Sequence, residues 1–156
     1  MRIHLAFTGK TAFPEIHEGI HRYVDRLRHY LPTDVHVIQA ERLTSKTPEE
    51  QAKQREAERV FKLLGKQDYL IAWDQRGRQM SSEELAQFLN NLRDRGATDI
   101  WMVIGGPLGM AQSLLERANA VLSLSKMTLP HDLARLVVVE QLYRAFTILK
   151  GEPYHK

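Results

Sequence analysis

The amino-acid sequence predicts an α/β fold in a single domain. Short apolar runs alternate with longer amphipathic segments along the whole chain, which is the pattern of strands and helices that follow each other in turn. The chain has 156 residues, 43% of them hydrophobic, and can therefore bury one core but is too short for two full domains. It contains no repeat, low-complexity segment or linker, so we expect one domain over residues 1–156.

The chain opens with a predicted strand, helix and strand. The strands cover Ile3–Thr8 and Val35–Ala40, and apolar residues recur at helical spacing from Ile16 to Leu27 between them. Pro14 suits the first turn of this helix, because the N–H that proline lacks would have no partner there.

A second helix is predicted to begin near Thr47 and to end near Gly65. Thr47 suits the N-cap, Pro48 suits the first helical position, and Glu50 completes a Thr-x-x-Glu capping box. Gly65 suits the left-handed backbone conformation that often follows the last residue of a helix. The sequence thus marks both ends of this helix.

The remaining elements continue the alternation to the end of the chain. A strand at Tyr69–Trp73 is followed by a polar turn at residues 74–78. The next elements are, in order, a helix that Ser81 or Ser82 caps and Gly96 follows, a strand at Ile100–Ile104, a helix around Met110–Ala118, a strand at Val121–Leu124 and a helix of about eighteen residues from His131.

The composition excludes several kinds of site. Without cysteine, the chain has no disulfide, thiolate metal site or cysteine nucleophile. His17 and His21 share a helix face, but two imidazoles without a third ligand favour a solvated surface, and we expect no metal. No run approaches the roughly 20 apolar residues of a membrane span, and the N-terminus does not resemble a signal peptide, so we expect a cytoplasmic protein with no membrane partner. The net charge of +3 is compatible with a polyanionic partner without requiring one.

Three segments lie where an open α/β sheet binds its ligands, beyond the carboxyl ends of strands. They are Trp73–Asp74, Gly105–Gly109 and Ser125–His131. Glycines directly after a buried strand let a ligand approach the backbone, although a structural turn explains the same residues. The glycine segment matches neither GxGxxG nor a Walker loop, which argues against a dinucleotide or a triphosphate.

The last helix is apolar on more than one face, which predicts burial in the centre of the domain or against another subunit. Arg135, Glu140 and Arg144 are its polar interruptions. Arg144 lies four residues after Glu140, so it either forms an ion pair within the helix or contacts a phosphate or carboxylate of a ligand. The tail, Tyr154–Lys156, is either frayed or forms an RNA clasp in which the aromatic ring stacks on a base.

Four segments towards the C-terminus have the order and spacing of one known family. They are IGGPLG at 104–109, LSKMTLPH at 124–131, EQLYRA at 140–145 and PYH at 153–155. Together with the chain length and the order of strands and helices, they resemble the ribosomal RNA large-subunit methyltransferase H family of the SPOUT superfamily. The resemblance spans nearly the whole chain and is densest from residue 69 onward.

This resemblance implies a SPOUT-type α/β knot, in which helices flank a parallel-rich sheet and the C-terminal segment forms a deep trefoil knot. The knotted, cofactor-binding part would cover about residues 69–156. It also implies a homodimer that uses S-adenosylmethionine, without a metal, to methylate N3 of a pseudouridine in 23S ribosomal RNA within the assembled ribosome. We expect the tail of one subunit to complete the site of the other.

The family's site residues carry over by position. The cofactor would lie against Trp73, Gly105 and the segment made of Leu124, Ser125, Lys126, Met127, Thr128 and Leu129. Arg144 would polarise the base or hold phosphate, and either His131 or Tyr154 would handle the N3 proton or position the base. Trp73 stands where family members carry a smaller aliphatic residue, so its contact would be bulkier here.

Other functions fit the same residues. The chain could be a SPOUT methyltransferase for another RNA base, such as a transfer RNA nucleotide, although such enzymes commonly carry RNA-binding extensions. It could also be a non-catalytic RNA-binding module, or an α/β enzyme that binds another nucleotide. The candidate phosphate contacts are Arg76, Arg78, Lys150 and Lys156, and for each of them an ordinary solvated charge is the simpler explanation.

Overall fold

The computed structural model describes the backbone of residues 1–155 and the side chains of residues 1–154. Lys156, one of the candidate phosphate contacts, lies outside the described residues. The strands are β1 (Arg2–Thr8), β2 (Thr33–Ile38), β3 (Tyr69–Gln79), β4 (Asp99–Ile104) and β5 (Ala120–Ser123). The helices are α1 (Pro14–Leu27), α2 (Glu49–Phe61), α3 (Ser82–Asp94), α4 (Gln112–Arg117) and α5 (His131–Leu149), and a 3₁₀ turn covers Pro153–His155.

The five strands of the described chain form one parallel sheet in the order β2-β1-β4-β3-β5. β1 lies inside the sheet, where Ile3 pairs with Thr33 of β2 and with Ile100 of β4. Since a connection between parallel strands must cross over the sheet, the helices lie on its faces. This architecture confirms the predicted single α/β domain, with helices on both sides of a parallel sheet.

The two faces of the sheet carry two apolar cores. α1, α3 and α5 pack on one face, to which the strands contribute Ile3, Leu5, Ile71 and Met102, among others. α2 and α4 cover the opposite face, where the strands contribute Ala6, Leu70, Ala72, Trp101 and Val103. Because both faces are buried, the strands read as continuous apolar runs and not as alternating ones.

Most predicted boundaries are confirmed to within two residues. Pro14 is the first residue of α1, and Ser81 caps α3 through a complete capping box with Glu84. Gly96 follows α3 with a left-handed φ of 82°. α5 begins at His131, as expected, and covers 19 residues.

The prediction is wrong at both ends of α2. Pro48 occupies the N-cap position, and the hydroxyl of Thr47 contacts that of Thr44 instead of the helix. The helix begins one residue later than expected, so Thr47 lies too early in the chain to cap it. At the other end, Gly65 lies beyond the helix without a left-handed φ, and its N–H donates to the carboxylate of Asp68.

The predicted turn at residues 74–78 is also wrong, because β3 continues through this segment. Trp73 and Arg78 both pair with Leu122 of β5, so the residues between them bulge out of the ladder. An added Cβ on Gly77 would lie only 2.6 Å from the backbone of β5. The bulge therefore wraps closely against β5, and glycine is required at the point of closest approach.

Candidate active site

A cavity of about 460 Å³ opens at the carboxyl ends of β3, β4 and β5. This volume is within the range of small-molecule and cofactor sites. Its walls are built by the segments that follow these strands, namely residues 73–75, 104–110, 123–125 and 127–131, together with Ala134 of α5. The three segments that the sequence analysis located beyond strand ends therefore meet in one cavity.

The glycine segment after β4 packs too closely for side chains. A Cβ on Gly105 would lie 3.1 Å from the Met110 side chain and 3.3 Å from the backbone of Gly109. A Cβ on Gly106 would lie 3.0 Å from the carbonyl oxygen of Thr8. The segment is therefore a tight structural turn that also lines the cavity.

Of the residues predicted to bind the cofactor, all but Lys126 line this cavity. The Ser125 hydroxyl accepts a hydrogen bond of 2.9 Å from the N–H of Met127, and Lys126 between them is exposed. The Thr128 hydroxyl donates to the side-chain oxygen of Gln75 at 3.1 Å. These two hydrogen bonds hold the segment after β5 in a defined turn against the bulge of β3.

Three residues were predicted to be catalytic, and His131 is the one of them that lines the cavity. It is the first residue of α5, and its Nε2 lies 3.3 Å from Oδ1 of Asp132. A carboxylate beside one ring nitrogen favours the proton on that nitrogen and leaves the other nitrogen as an acceptor. The imidazole is 32% exposed, so a ligand can reach it.

Arg144 and Tyr154, the other two predicted catalytic residues, lie outside the cavity and against each other. Arg144 donates to Oε1 of Glu140 from Nε and Nη2, at 3.1 and 2.6 Å, so the intrahelical ion pair is present. The Tyr154 hydroxyl donates to the same oxygen at 3.0 Å and lies 3.3 Å from the hydroxyl of Tyr23. At Tyr154, the tail is therefore docked on α5 and α1 and is not frayed.

The environment of Tyr154 decides which chemistry its hydroxyl can perform. Burial, together with hydrogen bonds to Tyr23 and Glu140, raises the pKa of Tyr154 far above its ordinary value. A phenol with a raised pKa stays neutral at physiological pH, so it donates a hydrogen bond and does not act as a proton-accepting phenolate.

The structure contains a buried ion pair to which the sequence analysis assigned no role. Arg135 is completely buried, and its Nη1 lies 3.3 Å from Oδ1 of Asp132, one turn earlier in α5. Arg135 also donates to the carbonyl oxygen of Thr8 at 2.5 Å and to the hydroxyl of Thr11 at 3.2 Å. Asp132 accepts the N–H of Ala12 at 2.8 Å. The sequence could have indicated this pair, because an acidic and a basic residue three positions apart lie on the same face of a helix.

The candidate phosphate contacts differ in their surroundings. Arg76 donates to Asp74 from Nε and Nη2, at 2.7 and 3.0 Å, and this contact lowers the pKa of Asp74. Arg78 borders a smaller cavity beside β5, and Lys150 is exposed at the end of α5. Arg76 is thus the least available of the three for a phosphate.

Several histidine side chains in the described chain contact one another or an acidic residue. His17 and His21 touch ring to ring on α1, with centroids 4.3 Å apart. Among residues 1–154, no three histidine, aspartate or glutamate side chains come together as metal ligands would. Within the described chain, no helix is both long and apolar enough to cross a membrane.

Comparison with known proteins assigns this architecture to a family. The family model described as "Predicted SPOUT methyltransferase" matches residues 1–155. A protein of Syntrophobacter fumaroxidans named ribosomal RNA large subunit methyltransferase H is 54% identical over the full length of both chains. One of Acetivibrio thermocellus with the same name is 44% identical, again over both full lengths. This chain belongs to the SPOUT methyltransferase family.

Solved structures similar to this SPOUT methyltransferase share its fold at low sequence identity. A probable methyltransferase from Bordetella pertussis matches 92% of this chain and 93% of its own, with a TM-score of 0.58 and 14% identity. A probable methylase family protein from Haemophilus influenzae matches 99% of this chain and 70% of its own, with a TM-score of 0.52 and 17% identity. These likenesses support the α/β fold alone.

We predict that Asp132→Asn destabilises the protein strongly, because it leaves the buried Arg135 without a counter-charge. Breaking a buried pair in this way costs about 3–5 kcal/mol of the free energy of unfolding, which urea denaturation measures. The matched control is Asp25→Asn, which removes an exposed aspartate paired with Arg28 at the same spacing and should cost less than about 1 kcal/mol. Equal losses in the two variants would contradict the structural role of Asp132.

Proposed function

We propose that this chain is an S-adenosylmethionine-dependent methyltransferase that modifies N3 of a pseudouridine in large-subunit ribosomal RNA, on the assembled ribosome in the cytoplasm. The proposal rests on the agreement of two observations. The full-length relatives of up to 54% identity bear the name of a ribosomal RNA large subunit methyltransferase, and the cavity is built from the segments that resemble that family. The family match covers nearly the whole chain, and the cavity at the strand ends has the volume of a cofactor site. Together they support catalysis over simple RNA binding.

The residues around the cavity fit S-adenosylmethionine, which would supply a methyl group already activated on a sulfonium. The apolar side chains of Trp73, Leu124 and Leu129 offer a wall for an adenine ring, and backbone groups of residues 124–129 can hydrogen-bond its edge. The indole N–H of Trp73 is buried without a hydrogen-bond partner among the described residues. A buried unpaired donor costs about 1–3 kcal/mol, which a ligand acceptor would offset. Gly105 lines the cavity with its backbone, which a ligand can approach closely.

We assign to His131 the role of the base that accepts the N3 proton. Methyl transfer forms a bond between N3 and the methyl carbon and breaks the methyl–sulfur bond, so the proton on N3 must pass to a base. His131 lines the cavity, and Asp132 beside its Nε2 favours an acceptor nitrogen on the other side of the ring. Tyr154 is unsuited to this task because its pKa is raised, and we assign it the positioning of Arg144.

We further propose a homodimer in which Arg144 and Tyr154 of one subunit act at the cavity of the other. Both residues lie outside the cavity of their own chain, and a second copy would bring them to it. Exposed apolar side chains near His131 offer a surface for that copy: Phe13, Leu133 and Met127. The N–H of Phe13 lies 3.4 Å from the Asp132 carboxylate, so Phe13 and Leu133 are close in space. Such apolar surface beside a site commonly marks an interface.

The bulge of β3 supports the trefoil knot that belongs to this proposal, over about residues 69–156. Residues 74–78 wrap against β5, and Gly77 makes the closest approach. The segment after β5 is joined to this bulge through the contact of Thr128 with Gln75. A segment after β5 that is held against this bulge is compatible with a C-terminal knot.

Methyl transfer from labelled S-adenosylmethionine tests the proposed function directly. Assembled ribosomes, free ribosomal RNA and transfer RNA are offered in parallel, and the modified nucleoside is identified by mass spectrometry. We expect label on pseudouridine N3 from ribosomes. Label on transfer RNA alone would replace the substrate and retain the SPOUT chemistry. RNA binding without any transfer, by a protein that binds the cofactor, would favour the non-catalytic RNA-binding module.

His131→Asn should lower kcat at least about 100-fold, because a positioned base contributes about 10²–10⁴-fold to such a step. The affinity for S-adenosylmethionine, followed through Trp73 fluorescence, should remain within about threefold of the wild type. The matched variant Tyr154→Phe removes only a hydroxyl and should lower kcat by less than about tenfold, because the ring that packs on Arg144 remains. A loss of kcat in Tyr154→Phe as large as that in His131→Asn would instead assign the base to Tyr154.

Mixed dimers test whether the site is completed by the partner. Gly105→Val crowds the cavity at Met110, and Arg144→Ala removes the guanidinium, so each homodimer should be inactive. If the site is shared between subunits, a dimer of one chain of each kind contains one intact composite site. We expect such dimers, isolated through two different affinity tags, to recover about half of the wild-type kcat. Complete inactivity of the mixed dimer would assign both residues to the cavity of their own chain.

A further inference from the structure

Two loops beside the cavity carry cations that no carboxylate neutralises. Lys10 lies in the segment after β1, and Arg42 and Lys46 lie between β2 and α2. All three side chains are exposed, and none has an ion-pair or hydrogen-bond partner among the described residues. We refer to residues 9–13 and 39–48, which carry these cations, as the basic ledge.

Backbone contacts join the basic ledge to the cavity. The N–H of Gly9 donates to the carbonyl oxygen of Ile38 at 2.7 Å, which holds the two loops side by side. Thr8, directly before the ledge, packs against Gly106 of the cavity wall so closely that no side chain fits between them. Because β1 lies between β2 and β4 in the sheet, the ledge continues the cavity wall toward the β2 edge.

The loop that carries Lys10 is anchored on both sides. Arg135 donates to the carbonyl oxygen of Thr8 and to the hydroxyl of Thr11, while Asp132 accepts the N–H of the residue that follows. A loop fixed in this way loses little conformational entropy when its side chain binds a ligand. The buried pair of Asp132 and Arg135 thus also holds the loop that presents Lys10.

The charge of the ledge is not balanced locally. Glu41 is its one acidic residue in the sequence, and it is engaged by Arg59 and, at 3.7 Å, by Arg55 of α2. Residues 105–111 of the adjoining cavity wall contain no acid. The ledge therefore attracts anions over a surface that spans two loops.

We propose that the basic ledge binds the phosphate backbone of the RNA whose base enters the cavity, through Lys10, Arg42 and Lys46. This inference rests on the proposed function, which requires a polyanion to pass the mouth of the cavity. Exposed, unpaired cations are suited to phosphates, because each contact releases condensed counterions. Such contacts fix the position of the RNA without reading its sequence. The choice of the target base would then depend on the shape of the ribosome.

A triple variant, Lys10→Gln/Arg42→Gln/Lys46→Gln, tests the ledge. The matched control is Lys62→Gln/Lys66→Gln/Arg95→Gln, which removes three exposed cations near the amino ends of β3 and β4, whereas the ledge lies at the carboxyl ends of β1 and β2. Both variants lose the same charge, and the urea unfolding midpoint and S-adenosylmethionine affinity of both should match the wild type. Binding to assembled ribosomes is measured by sedimentation over a range of KCl concentrations, and KM for ribosomes is measured by methyl transfer.

We expect the ledge variant to bind ribosomes about tenfold or more weakly at low salt, and to lower the slope of log K against log salt by about 1 for each lost contact. Its KM for ribosomes should rise while the control stays near the wild type. Equal slopes in the two variants would overturn the proposal that the ledge binds phosphates. A wild-type affinity that does not depend on salt would overturn it as well. Absence of methyl transfer by the wild type would instead overturn the proposed function, which the binding slopes do not measure.

Discussion

The buried pair of Asp132 and Arg135 joins the start of α5 to the end of β1. A guanidinium removed from water costs several kcal/mol unless its charge and donors are met, and here Asp132, Thr8 and Thr11 meet them. Its Nε lacks a partner among the described residues, so the compensation depends all the more on these contacts. Thr8 also packs against Gly106 of the cavity wall, and Asp132 adjoins His131. The pair thus connects the cavity wall, the proposed base and the ledge.

Local sequence signals predicted those parts of the fold that local interactions determine. Pro14 acts within a single turn and was assigned correctly, and the N-cap of α3 is Ser81, one of the two serines that the sequence offered. Thr47 was not, because Pro48 holds an extended backbone and takes the N-cap itself. The extent of β3 could not be deduced from residues 74–78, whose polar composition favours a turn. Their strand conformation comes from β5, some forty residues later, and such distant pairing leaves no periodic trace.

The cavity lining was predictable because the family motifs mark it, and those motifs lie at strand ends. The position of Tyr154 outside the cavity of its own chain is compatible with the expectation that the tail serves the other subunit. The position of Arg144 could not be deduced, since spacing along a sequence carries no information about a second copy. The buried pairing of Arg135 with Asp132 could not be predicted for a different reason. A charged pair three residues apart usually forms an exposed contact of little energetic weight, and only the packing of β1 against α5 buries it.

The position of β1 also constrains how the chain is made. It is the first strand to be synthesised, yet it pairs with β4, and the cavity needs the segment after β5 and the first turn of α5 as well. An N-terminal fragment on a translating ribosome therefore holds an incomplete sheet with apolar edges, and long-range parallel pairing forms slowly. The cavity is therefore complete only after α5 has been synthesised and its first turn has docked beside the end of β1. A growing chain that still lacks α5 has no formed site, so the site and the fold are completed together.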